Sequence, residues 1–204
     1  MPLCAIIPVK PLKRGKSRLS SILSVEERTI LNKRMLTNML NCLKDVPQVD
    51  NFIVISYDPS TLAIARDLGA KTVLESRITN LNRALRKATA AAKAFNATQV
   101  LILPADLPLI NTEDIIRFIK HRGEPPEIII SSDFRQNGTN ALLVNPIGMI
   151  EYDFGEWSFK KHIEQAERKK MRIDICNIES LLYDLDIPED IELLKSKGMI
   201  FNYL

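Results

Sequence analysis

The chain has 204 residues, 46% of them hydrophobic, which suits one globular domain with a substantial core and excludes a disordered chain. Its 28 Lys and Arg against 25 Asp and Glu leave a formal charge of +3, too small to argue for a nucleic-acid partner. Three cysteines with no CxxC pair fit the cytoplasm, and the short apolar N-terminus has neither the h-region of a signal peptide nor the length of a membrane span.

The first strand is expected in "LCAIIPV" (3–9). Behind it come Lys10, Lys13, Arg14, Lys16 and Arg18, with Pro8 and Pro11 stiffening the exit and Gly15 available for a tight turn. Such a loop can cradle a polyphosphate, and on charge alone it can equally be a solvated surface. It is no Walker loop, because the GxxxxGK[ST] spacing is missing. Ser24 and Glu27 form a capping box that opens the longest helix.

Further strands are expected in "NFIVISY" (51–57), "KTVLE" (71–75), "QVLILPA" (99–105), "EIIISS" (127–132), "ALLVN" (141–145) and "RIDICNI" (172–178). Helices are expected over 59–68, 81–95, 112–121, 158–169 and 188–195. The alternation implies an α/β fold whose sheet is mixed but mostly parallel, with a small antiparallel insertion around 127–165.

In open sheets of this kind ligands lie beyond the carboxyl ends of the strands. Asp106, in "LILPADLPLI", sits at such an end and suits a divalent cation, or else a turn cap. In "YDLDIPED", Asp184 and Asp186 are two apart and share one side of an extended segment. Glu189 and Asp190 fall in the first turn of the next helix, where acids suit the dipole without further function. Oxygen ligands from Asp106, Asp184 and Asp186 would suit Mg²⁺ or Mn²⁺ completed by substrate phosphates.

Thr139 and Asn140, in "DFRQNGTNALLV", and Gly155 and Ser158, in "FGEWSFKKH", offer amides and hydroxyls to an anion, with Ser158 expected to cap its helix. Turn chemistry alone also explains both stretches. His162, one turn after Ser158, either approaches that anion or is solvated helix surface; His121 reads as a helix C-terminus.

Taken in order, "PVKPLKRGKSRL", "LNRAL", "LPADLPL", "GTNALLV", "FGEWSFKKH" and "DLDIPED" resemble the 2-phospho-L-lactate guanylyltransferases of deazaflavin coenzyme F(420) biosynthesis. The resemblance spans nearly the whole chain. It implies a three-layer α/β/α, Rossmann-like nucleotide-diphospho-sugar transferase (GT-A-like) fold. It also implies joining of GTP to 2-phospho-L-lactate, giving lactyl-2-diphospho-5′-guanosine and pyrophosphate, with phosphoenolpyruvate as the acceptor of bacterial relatives.

The same resemblance implies metal on Asp106, Asp184 and Asp186, and acceptor contacts at Thr139, Asn140, Gly155 and Ser158. Lys10, Arg14, Lys16 and Arg18 would hold the nucleotide phosphates, with Lys16, Arg18 and Asp106 catalytic, and Asn82 and Pro104 would lie near the base. A homodimer is compatible. Asn80, Gln136 and Asn137 stand where the family is often glycine. Competing readings are another nucleotidyltransferase of molybdenum-cofactor or sugar-phosphate type, a glycosyltransferase using the "DLD" acids, and a silent nucleotide-binding regulator.

Overall fold

Seven short apolar runs pair into one sheet in the computed structural model, which describes residues 1–76, 80–196 and 198. They are β1 (Leu3–Pro8), β2 (Asn51–Ser56), β3 (Lys71–Leu74), β4 (Gln99–Ile102), β5 (Glu127–Ser132), β6 (Thr139–Asn145) and β7 (Arg172–Ile175), in the order β3-β2-β1-β4-β6-β5-β7. The helices are α1 (Val25–Lys44), α2 (Pro59–Asp67), α3 (Leu81–Ala94), α4 (Thr112–Lys120), α5 (Ser158–Arg168), α6 (Glu179–Leu182) and α7 (Pro188–Ser196).

Both faces of the sheet are covered, which is why its central strands read as unbroken apolar runs. Along β1, Leu3, Ala5 and Ile7 join one core with Leu36, Met39 and Leu40 of α1, Leu62 of α2 and Phe118 of α4. Cys4 and Ile6 point the other way, to Leu85 and Ala88 of α3 and Ala166 of α5. The chain first walks outward from β1 to β2 to β3, then returns through α3 to β4 on the far side of β1. A right-handed crossover taken in the reverse direction lands on the opposite face, so α3 lies apart from α1 and α2. The reversal opens a crevice between β1 and β4 at their carboxyl ends.

β6 runs antiparallel to both β4 and β5, while β7 is parallel to β5. The segment between β5 and β6 is too short for a crossover helix, so the two strands form a hairpin. Within the stretch 127–165, where an antiparallel insertion is expected, the β5–β6 hairpin continues the sheet itself. Five strands stop earlier than expected, β4 and β7 by three residues each and β1, β2 and β3 by one. Leu103 still donates its N–H to Ile6 at 3.1 Å, but Pro104 has none to give, and the ladder of β4 ends there. The short α6 and a 3₁₀ turn at Ser17–Leu19 lack the periodicity that would have announced them.

Helix α1 begins with the expected capping box: Ser24 Oγ accepts from the Glu27 N–H at 3.2 Å, and the Glu27 carboxylate accepts from the Ser24 N–H at 2.8 Å. A third cluster joins Leu31 and Met35 of α1 to Leu19, Tyr183, Leu185, Ile191 and Leu194. This cluster carries the chain's last acidic segment back over the first loop. Among the described residues no helix is long and apolar enough to cross a membrane.

Candidate active site

The basic loop leaves β1 through a turn in which the Arg14 and Gly15 amides donate to the Pro11 carbonyl at 2.8 and 2.9 Å. The left-handed residue of this loop is Lys16 (φ 56°, ψ 38°), not Gly15. A side chain in that conformation costs about 1–2 kcal/mol. It is held because Lys16 Nζ donates to Asp106 Oδ2 at 2.7 Å and lies 3.6 Å from Asp186 Oδ1. Gly15 serves a different need. A Cβ there would stand 2.6 Å from Asn32 Nδ2, the amide by which α1 grips the Leu12 carbonyl at 2.8 Å.

The acids converge by backbone pairing. Leu185 donates its N–H to the Asp106 carbonyl at 3.0 Å, and its side chain is fully buried, so Asp184 and Asp186 on either side are turned away from that core, Asp186 into the cleft. Asp186 also holds Arg18 Nη1 at 2.9 Å. Asp190 does more than favour a helix dipole. Its buried carboxylate accepts from the Asp186 and Ile187 amides at 2.8 Å each and pairs with Arg135 at 2.8 Å, locking the segment.

Burial alone would raise the Asp106 carboxyl, but the Lys16 ammonium overrides it and holds the group below its ordinary value. Asp184 goes the other way: burial, reinforced by the charge of Asp106, pushes it up to about 6. Its Oδ1 receives the Asn140 amide at 3.4 Å.

Among the described residues no three His, Cys, Asp or Glu stand close enough together to hold a metal ion. The three-aspartate ligand set is thus not assembled as expected, because the Lys16 ammonium sits between Asp106 and Asp186. Asp106 and Asp184 are the two that could share a divalent cation, since the charge of Asp106 already acts on Asp184 and such an ion would relieve that repulsion. One or two carboxylates suffice for Mg²⁺ when phosphates complete the shell.

Asp106 and Asp186, but not Asp184, line a cleft of about 480 Å³ that crosses the carboxyl ends of β3, β2, β1 and β4. Lys10, Arg14, Lys16, Pro104 and Asp106 line it. Arg18 stands at the rim, mostly exposed and tied to Asp186. Asn82 is not among the lining residues: its Oδ1 accepts from the Phe154 N–H at 2.8 Å and its Nδ2 donates to the Phe154 carbonyl at 3.1 Å. The expected base contact is therefore a clamp that sets Phe154 on the cleft wall.

The expected acceptor residues form a neighbouring cluster, with differences. Thr139 Oγ1 lies 3.1 Å from His162 Nδ1, and the Asp153 amide donates to His162 Nε2 at 3.1 Å. With Nε2 accepting, the neutral ring carries its proton on Nδ1 and gives it to Thr139. His162 is fully buried, neither solvated helix surface nor an anion contact. Asn140 reaches the Leu181 carbonyl at 2.9 Å as well as Asp184, so it ties β6 to the acidic segment.

The helix cap is Trp157 (φ 60°), not Ser158. The Trp157 and Phe159 amides are taken by the Asn137 side chain and carbonyl, and the Ser158 amide by the Gly155 carbonyl, which weakens the case for an anion at this helix start. The Ser158 hydroxyl is buried and has no partner among the described residues. Gly155 (φ 128°) has open space where a side chain would stand. Gln136 (φ 56°) adopts the left-handed backbone that glycine takes most easily, and Asn137 is spent on α5.

Glu75, Tyr57 and Phe154 also line the cleft and escaped the sequence reading. Glu75 was legible in principle. It follows β3 directly, but "KTVLE" reads as a strand to its last letter.

Compared with known proteins, the chain matches the family described as "Guanylyl transferase CofC like" over residues 3–199. The chain belongs to this family. A phosphoenolpyruvate guanylyltransferase of Rubrobacter xylanophilus is 37% identical over 97% of this chain and 96% of its own length. A 2-phospho-L-lactate guanylyltransferase of Methanocaldococcus infernus is also 37% identical, over 91% of this chain and 81% of its own length. In fold, the CofC-like chain is similar to the crystal structure of a proposed nucleotide-diphospho-sugar transferase from Desulfovibrio desulfuricans G20. The TM-score is 0.75 with 14% identity, over 100% of this chain and 90% of that one. By its family and relatives the CofC-like chain is a nucleotidyltransferase, and its mixed, mostly parallel sheet is of the nucleotide-diphospho-sugar transferase type.

Proposed function

We propose that this CofC-like enzyme transfers the guanylyl group of GTP to the phosphate of 2-phospho-L-lactate, forming lactyl-2-diphospho-5′-guanosine and pyrophosphate. The observation that carries the reading is the Lys16 ammonium, nearly buried and 2.7 Å from Asp106, at the mouth of a cation-edged cleft on the strand-order reversal. A phosphate oxygen of the acceptor attacks the α-phosphorus of GTP in line. The new P–O bond forms as the bond to the β-phosphate breaks and its electron pair leaves with pyrophosphate.

A phosphate monoester with a second pKa of about 6 is already mostly dianionic at neutral pH, so no side chain need remove a proton. The difficulty is bringing two anions together, which calls for positive charge placed in advance. Lys16 is positioned by its two aspartates, Lys10 and Arg14 edge the triphosphate side, and Arg18 guards the rim through Asp186. Asp106 and Asp184 would hold Mg²⁺ or Mn²⁺, which supplies charge neutralisation on the phosphates. Thr139, with its orientation set by His162, would offer its hydroxyl to the acceptor, whereas the buried Ser158 hydroxyl is closed to it.

Phosphoenolpyruvate is the second acceptor reading, favoured by the R. xylanophilus relative, which aligns over 96% of its own length against 81% for the M. infernus one. Pyrophosphate release is followed with Mg²⁺, each of the four common nucleoside triphosphates and each acceptor. GTP with 2-phospho-L-lactate should give the highest kcat/KM; no product from GTP with either acceptor overturns the reading, and a higher value with phosphoenolpyruvate transfers it to the second. Cytoplasmic residence is supported by three buried cysteines free of disulfides. A homodimer belongs to the same reading and is checked by sedimentation.

A further inference from the structure

The cleft has two chemically unlike ends. Over β1 and β4 stand Lys10, Arg14, Lys16 and Asp106, and toward β3 it is walled by Tyr57 and Glu75. Strands about 4.8 Å apart set the β3 end about 10 Å from the β1 loop, so a nucleotide with its phosphates on the cations lays its base toward Glu75. The Glu75 backbone is fixed by its N–H bond to the Ser56 carbonyl at 2.9 Å. Among the described residues no hydrogen bond or ion pair occupies its carboxylate. Burial raises that carboxyl, against the pull of the Lys87 ammonium, which is itself committed to the Leu74 carbonyl at 2.7 Å.

Resting on the guanylyl-transfer reading, we propose that Glu75 selects the base, its carboxylate accepting the N1–H and the exocyclic N2–H of guanine. Guanine alone among the four common bases presents two adjacent donors on its pairing edge. Adenine and cytosine set a ring nitrogen acceptor beside their amino group, and uracil offers one N–H between two carbonyls, so each brings a lone pair against the carboxylate. A site built to pair a donor discriminates strongly against a ligand that lacks it.

The test compares GTP, ITP and XTP with wild-type enzyme and the near-isosteric Glu75→Gln. Wild type should prefer GTP over ITP, which lacks only the 2-amino group, by at least about tenfold in kcat/KM, the loss expected for one hydrogen bond to a charged group. Glu75→Gln should bring GTP and ITP within about threefold and gain on XTP, because its amide can accept from N1–H and donate to the xanthine C2 carbonyl. A wild type that uses GTP and ITP equally, or a folded Glu75→Gln that keeps the wild-type ratio, overturns the proposal. If the variant fails to fold, the wild-type comparison decides alone. Calorimetry of GDP against IDP needs no acceptor, so Glu75 is tested even if guanylyl transfer is not observed.

Discussion

Lys16 is held in a costly backbone conformation by two carboxylates, and its side chain keeps only 6% of its surface exposed. Strain of this kind persists where the surroundings over-determine it, and here they are Asp106 and Asp186. Lys16→Ala should lower kcat for pyrophosphate release by about a hundredfold or more, the loss seen when one preorganised donor to a developing anion is removed. Lys16→Arg should recover part of it. A Lys16→Ala enzyme within about threefold of wild type, with an unchanged melting profile, removes Lys16 from the chemistry.

His162 is the second residue with a measurable signature. Burial pushes its ring down to about 4 from an ordinary value of 6.5, with Asp153 opposing and Lys161 assisting. The unfolded chain takes up this proton as the pH falls past 6.5, while the native ring resists until about 4. Its contribution to stability is complete above pH 6.5 and drains away as the pH falls toward 4. Urea midpoints measured across that window should fall more steeply for wild type than for His162→Gln; parallel slopes would refute the buried neutral ring. Aspects of both residues were hidden in the sequence, because neither φ at Lys16 nor burial at His162 follows from helical spacing or charge.

At the scale of elements, the acidic segment owes its place to one apolar anchor. Leu185 is fully buried among Leu19, Leu31, Met35 and Leu194, and its N–H is bonded to Asp106. Leu185→Ala should cost about 2–5 kcal/mol of stability by the cavity it leaves. It should also depress activity at temperatures where the variant is still folded, since Asp184 and Asp186 flank that side chain. Denaturant unfolding alongside pyrophosphate release checks both, and lost stability with full activity would detach the segment from the site. The alternation "DLD" shows that two acids share a side, but which side depends on a cavity built by α1, α7 and the 3₁₀ turn. Helix α5 teaches a similar lesson: Ser158 looks like a cap, yet Asn137, twenty residues before Trp157, does the capping work at 2.6 Å.

For the molecule as a whole, two-sided burial makes strands legible as apolar runs and helices as stripes, so the α/β class follows from local pattern. The six ordered motifs, read together, carried the family and with it the guanylyl chemistry. Local pattern holds no record of neighbours. That β4 returns to lie beside β1, that β6 runs backwards between β4 and β5, and that the clamp from Asn82 sets Phe154 on the cleft are products of long-range pairing. The sequence by itself determined which residues bear charge and that they follow strands. Only the tertiary structure decided that Lys16 stands between two of the three aspartates and that Glu75 faces the cations across one cleft. Such distances arise from crossover handedness and core packing among residues up to 170 positions apart, as between Lys16 and Asp186.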